Sequence, residues 1–287
     1  MTLLFLWAGL LFTTRDIRRS SMPANPIRST RLAQDPPPKH SPLIPTVVVA
    51  SYKGGVGKTA LTVAIAERLA WAGLHVLLLT CDSQEDARHR LGVQASDPVV
   101  ARRTYGSEGS VTVIGIRGSK AVDLLYRIGP ARIGSFDIAV VDTPPEVQGG
   151  ALPGVLLLTP VDGTDAARNL LTMLARTPSN TDIMLIRVGR EDREDWAQNA
   201  RTLERVLGRD VQFLEDPLPL TKLIKQAHDA GRSVWALPRS GVTLDYLSSV
   251  DTLAETAWER VHPRRKWPSM PSQSAAAAYV PGWDDDE

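Results

Sequence analysis

The stretch VVVASYKGGVGKTALTVAIAERLA, residues 47–70, reads as strand, glycine loop and helix. Gly54, Gly55 and Gly57 let the backbone take conformations closed to other residues and come close to a phosphate chain. Consecutive amides then point inward, and the following helix opens with its positive end at the same place. Lys58 is placed to reach the outer phosphates, and the Thr59 hydroxyl to ligate Mg²⁺. The loop from Lys53 through Val56 to Ala60 is therefore expected to hold ATP with Mg²⁺. A glycine-rich turn without ligand is the competing reading. The strand before it, the helix after it and the Gly-Lys-Thr ending weigh against that.

Outward from the loop, short apolar runs alternate with helical stretches. Strands are expected at Thr46–Ser51, His75–Cys81, Val111–Ile116, Asp137–Asp142, Gly154–Thr159, Asp182–Val188 and Val211–Leu214. Several are apolar without alternation (VVVA, VLLL, IAVV), as befits strands covered on both faces. Helices are expected at Thr59–Trp71, closed by Gly73, at Trp196–Leu207 and at Leu220–Ala230. The pattern predicts an α/β fold: a mostly parallel twisted sheet with helices on both faces and ligands at the carboxyl ends of its strands. Asp142 ends an apolar strand, where a carboxylate can hold a magnesium shell. Asp82 ends the strand after the first helix; alone, such an aspartate more often forms a turn or caps a helix, but two at strand ends beside a phosphate loop favour metal and water positioning.

Composition bounds the alternatives. The 287 residues are 43% hydrophobic and 23% charged with a net charge of +1, so no global basic field marks a nucleic-acid binder. Cys81 is the single cysteine, which leaves no disulfide and no four-cysteine metal site. Residues 3–12, LLFLWAGLLF, are too short for a membrane span, which needs about 20 residues. Arg15, Arg18 and Arg19 follow this run, the wrong polarity for a secretory signal. Met22 is the expected initiator, with a membrane anchor at residues 3–12 as the alternative. Residues 1–45, proline-rich from Pro23 onward, read as a disordered extension, 46–262 as one domain, and 263–287 as a solvated tail ending in acidic residues.

Lys53 to Thr59 resemble the deviant Walker A motif of the ParA/MinD superfamily of P-loop ATPases, with Lys53 in the place of its signature lysine. Residues 78–84 look like that family's second motif, and Asp137–Pro145 (DIAVVDTPP) its Walker B strand. Leu156–Val161 looks like the next strand, and Asp216–Ser240 like the segment around the adenine loop. The chain resembles the small plasmid-type ParA proteins, ParF-like in size. The resemblance implies a homodimer sandwiching two ATP molecules, with Lys53 crossing to the partner's phosphates and Asp82 orienting the attacking water. Thr80 departs from the family's first aspartate and Ser83 from its proline. The usual base-binding asparagine is not evident, Arg187 lying near its place. Main-chain groups around Pro217 and Pro219 are expected near the base.

Within that family, ParA-type members bind DNA non-specifically with a ParB-like or cargo-adaptor partner, and MinD-type members bind membrane through a C-terminal amphipathic helix. The stretch HPRRKWPSMPSQ after Val261 has prolines and no apolar stripe, so a membrane partner is not expected. The resemblance favours a cytoplasmic, nucleoid-associated DNA-partition or cargo-positioning ATPase. A MinD-like positioning ATPase and an amidoligase-type enzyme are the alternatives. Candidate DNA contacts are Arg201 and Arg205 on one helix and Lys222 and Lys225 on another, where Leu220, Leu223, Ile224 and Ala227 are expected to point inward. A solvated charged face is the simpler reading of each residue.

Overall fold

Four consecutive residues that favour strand, Thr46–Val49, are buried on both faces and form the inner strand β1. The computed structural model describes residues 44–51, 54–81, 86–93, 100–106, 108–115, 135–143, 155–161, 170, 173–174, 177, 181–189, 193–208, 210–214, 217–219, 221–239 and 241–268. Among them the strands continue as β2 (His75–Thr80), β3 (Val100–Tyr105), β4 (Gly109–Gly115), β5 (Ile138–Asp142), β6 (Leu156–Val161), β7 (Asp182–Arg187) and β8 (Gln212–Phe213). The helices are α1 (Lys58–Trp71), α2 (Asp86–Arg90), α3 (Arg193–Leu207), α4 (Lys222–Asp229) and α5 (Gly241–Val261), with a 3-10 turn at Val234–Ala236.

The strands form one sheet in the order β3-β4-β2-β5-β1-β6-β7-β8. Every pair is parallel except β3 with β4. Period-two alternation divides the core. Val47, Val49, Leu78, Val140 and Leu158 pack with α1, α4 and α5, while Val48, Leu77, Val141 and Leu157 pack with Leu203 of α3. Helices thus cover both faces, as the sequence predicts.

Helix α1 decides the arrangement. Twelve of its 14 residues are buried, so it is a core helix and not a surface one. It packs so closely on β4 that a Cβ at Gly109 would overlap the Ala70 carbonyl. Two charged residues go into the core with it. Glu67 accepts hydrogen bonds from the Tyr105 hydroxyl at 3.0 Å and the Ser233 hydroxyl at 2.9 Å. Arg68 pairs with Asp251 of α5 and lies against the rings of Trp235 and Trp267, 5.9 and 4.9 Å from their centroids.

Three expectations change. Strand β3 was not anticipated, because VARRTY carries two arginines and only Tyr105 is fully buried; as an edge strand it needs cover on one side only. Leu223 is 44% exposed, not inward. Helix α4 starts at Lys222, behind a Thr221 cap, and buries Ile224, Ala227 and His228, which rotates Leu223 off the stripe. Residues just beyond 262 also pack against the domain: the Trp258 indole donates to the Lys266 carbonyl at 3.1 Å, and Trp267 packs on the core. An edge-on contact of Trp267 with Trp258 and its contact with Arg68 hold residues up to 268 where a solvated tail was expected.

Burial raises the Glu67 carboxyl from its ordinary 4.5 to about 7, against the lowering effects of Arg103, Ser233 and Tyr105. Its protonated form stabilises the fold, a contribution complete below about 4.5 and lost as pH rises towards about 7. His228 runs the other way. Burial first, then Arg90, lowers it from 6.5 to about 4, so its contribution is present above 6.5 and lost as pH falls towards about 4. The two slopes largely cancel in the wild type. Glu67→Gln removes one of them, so its stability relative to wild type should rise between pH 4.5 and 7 by about 3 kcal/mol. Urea unfolding of both proteins across that range checks this.

Candidate functional site

The chain leaves β1 at the middle of the sheet and turns through Gly54 and Gly55 into α1. Gly55 has φ 77° and Gly57, the residue that caps α1, φ 82°, left-handed values that favour glycine. A Cβ on Gly54 or Gly55 would meet nothing within 4 Å, so protein packing does not demand glycine there. No side chain caps α1, and its first turn has no acidic residue. The positive end of the helix dipole therefore faces the glycine loop with no acidic side chain of the first turn against it, an arrangement suited to an anion. Val56 and Lys58 are buried, Thr59 is half-buried and Ala60 is buried, all at this end of the helix.

Asp142 closes the floor of the site. Strand β5 lies between β1 and β2, with Asp142 in register with Val49 on one side and Thr80 on the other. The side chain is fully buried, and the Asp142 carbonyl accepts from the Cys81 amide at 2.9 Å. Next to it, Thr143 donates to the Val49 carbonyl through its amide at 3.3 Å and its hydroxyl at 2.9 Å. These bonds hold the ends of β1, β2 and β5 level. The Thr62 hydroxyl, one turn beyond Lys58, donates to the Lys58 carbonyl at 2.9 Å and lies 3.4 Å from Asp142 Oδ1.

This end of the sheet fits a hydrated Mg²⁺. The cation takes oxygen ligands and keeps several waters, so carboxylate and hydroxyl oxygens around a small polar space suit it. Asp142 would supply the carboxylate and Thr59 a hydroxyl. Thr80, on the same face as Asp142, has a buried hydroxyl without a hydrogen-bond partner among the described residues. Burying such a group unsatisfied costs about 1–3 kcal/mol, which a metal-bound water would relieve.

The loop Gly54 to Ala60 and Asp142 are thus brought together. Lys53 and Asp82 lie outside the described residues. Pro217 and Pro219 flank Leu218, which bridges to Val188 and donates its amide to the Arg187 carbonyl at 2.8 Å, beyond the carboxyl end of β7. This carboxyl end of the sheet is shared with the loop after β1, two strands away. Arg187 is buried at the end of β7. Arg201 and Arg205 are exposed on α3, and Lys222 and Lys225 on α4. The two helices cover opposite faces of the sheet, so the four residues are two separate surfaces. Sequence reasoning missed Thr62, whose signal was a lone hydroxyl four residues after Lys58 in an otherwise apolar run.

The family model for the CobQ/CobB/MinD/ParA nucleotide binding domain matches residues 47–234. None of the curated proteins matches the chain. Among solved structures, pNOB8 ParA bound to nonspecific DNA has a TM-score of 0.55 at 17% identity, over 78% of this chain and 100% of that one. The septum site-determining protein MinD complexed with Mg-ADP from Pyrococcus horikoshii gives 0.54 at 15%, over 76% and 99%. Cobyrinic acid a,c-diamide synthase from Mycobacterium smegmatis, with a bound ATP analogue and magnesium, gives 0.51 at 18%, over 80% and 100%. Identities this low reflect the shared fold, and they do not single out the small plasmid-type subgroup.

Lys58→Ala removes the cation at the mouth of the loop while keeping the amide cradle. ATP affinity measured by calorimetry with Mg²⁺ should fall at least about 100-fold, the scale of a lost charge-assisted contact. Unchanged affinity would overturn the site.

Proposed function

This chain belongs to the CobQ/CobB/MinD/ParA nucleotide-binding family, and we propose that it works there as an ATP-hydrolysing switch. With ATP and Mg²⁺ it forms a homodimer that binds duplex DNA without sequence preference, to partition a replicon or position cargo with a ParB-like adaptor in the cytoplasm. The observation that carries the nucleotide part is the uncapped start of α1 beside the buried carboxylate of Asp142, with the two joined through Thr62. The DNA part is supported by the likeness to pNOB8 ParA, whose structure holds nonspecific DNA, and by the exposed Lys222 and Lys225. No helix among the described residues is long and apolar enough to cross a membrane.

The chemistry is mainly positioning and charge neutralisation. Amides of Gly54 to Ala60 orient the phosphate chain, and Lys58 offsets the negative charge that grows on the outer phosphates. Asp142 and Thr59 would hold the magnesium, which neutralises charge on the phosphate oxygens when bound. Asp82 aligns the attacking water. Lys53 reaches the second protomer's nucleotide, so turnover waits for dimerisation and is slow in the monomer.

Two variants separate these roles. Asp82→Ala should keep ATP binding, lose hydrolysis and accumulate the dimer, whereas Lys53→Ala should bind ATP yet remain monomeric. Light scattering with and without ATP reads both, and a wild type that never dimerises sinks the assignment.

For the partner, changing Lys222 and Lys225 together to Glu should weaken duplex binding on all sequences alike. It should also flatten the salt dependence, because fewer counterions are released, while ATP affinity stays unchanged. Mobility shifts on unrelated duplexes beside liposome sedimentation check this. Binding to liposomes alone would replace DNA with a membrane, and binding to neither would favour a metabolic enzyme of the same fold.

A further inference from the structure

Thr62 is fully buried on α1, and its hydroxyl lies within reach of two groups from different parts of the site. One is the Lys58 carbonyl at 2.9 Å and the other is Asp142 Oδ1 at 3.4 Å. A hydroxyl carries one proton, so it can serve only one of them fully. The carbonyl, four residues back along the helix, already has its helical amide donor. The carboxylate accepts hydrogen bonds only, and an ionised acceptor makes the stronger bond. Rotating the hydroxyl hydrogen moves the bond from one oxygen to the other without moving a heavy atom.

We infer that Thr62 is a positioning residue for the magnesium site, its hydroxyl orienting the Asp142 carboxylate relative to the helix turn that carries Lys58 and Thr59. The inference rests on the nucleotide and magnesium reading above. Thr62 is deep in the helix, below the uncapped first turn, and has no part in the amide cradle. Its effect therefore falls on the metal and not on the phosphates. Groups that orient a metal-binding carboxylate without touching the metal commonly change affinity about 10–100-fold. Thr80 lies in register with Asp142 on the neighbouring strand β2.

The test uses the full chain and a fluorescent ATP analogue, titrated first without metal and then with Mg²⁺ at fixed nucleotide. Thr62→Val keeps the shape and deletes the hydroxyl; Thr62→Ala deletes it without adding a methyl in a new place; Thr62→Ser restores it. Both hydroxyl-free variants should need about tenfold more Mg²⁺ at the midpoint, with metal-free nucleotide affinity unchanged, and Thr62→Ser should stay within about twofold of wild type. If Thr62→Val fails to fold, Thr62→Ala carries the comparison. Equal midpoints in all four proteins overturn the inference. So does a shift in Thr62→Ser as large as in Thr62→Val, which would mean packing, or a parallel loss of metal-free affinity, which would mean damage to the cradle. Wild type that binds the analogue without any response to Mg²⁺ would instead overturn the underlying reading of the site.

Discussion

Helix α1 enters the core carrying Lys58, Thr62, Glu67 and Arg68, all of them buried. A buried charge or hydroxyl without a partner costs from about one to several kcal/mol, so the rest of the molecule must supply partners at these positions. Each comes from a different element. Thr62 meets Asp142 of β5; Glu67 is held by Tyr105 of β3 and Ser233 near the 3-10 turn; Arg68 is held by Asp251 of α5 and two tryptophan rings. A shift or rotation of α1 would break all of these at once.

That constraint sets the phosphate loop. Gly57 caps the helix, so fixing α1 fixes the direction of its leading amides and the side of the sheet on which Lys58 and Thr59 lie. The same face of the sheet presents Asp142 and Thr80 in register at the carboxyl ends of β5 and β2. Precision at the site is therefore supplied from the core, through strands held level by backbone hydrogen bonds, and not from the loop itself. At the other end of α1, Ser233 lies just beyond α4, so the exposed Lys222 and Lys225 sit on a helix tied to the nucleotide helix through Glu67. Burial makes ionisation of this acid costly, and its two hydrogen-bond donors and the charge of Arg103 offset part of that cost.

The segment after α5 extends the same logic. Trp258 stacks on His262, with centroids 3.8 Å apart, and meets Trp267 edge-on at 6.4 Å; Trp267 in turn lies over Arg68. Aromatic cover of a buried guanidinium keeps water from it and strengthens its pairing with Asp251. A proline- and arginine-rich stretch that looks like tail from its composition is thereby part of the domain.

Local patterns alone determined the α/β class, seven of the eight strands among the described residues, the loop-helix junction and the place of Asp142. Apolar runs, a glycine loop and a strand-end carboxylate each act over a few residues and can be read without knowing what lies opposite. Tertiary structure decided what depended on distant partners. It made β3 a strand because β4 offers an edge, and turned Leu223 to solvent because Ile224, Ala227 and His228 set the phase of α4. It separated Arg201 and Arg205 from Lys222 and Lys225 by placing α3 and α4 on opposite faces. It also brought Thr62 to Asp142 across 80 residues of chain. Periodicity shows which side of a helix is apolar, but the partner of a polar side chain buried there is known only once the packing is.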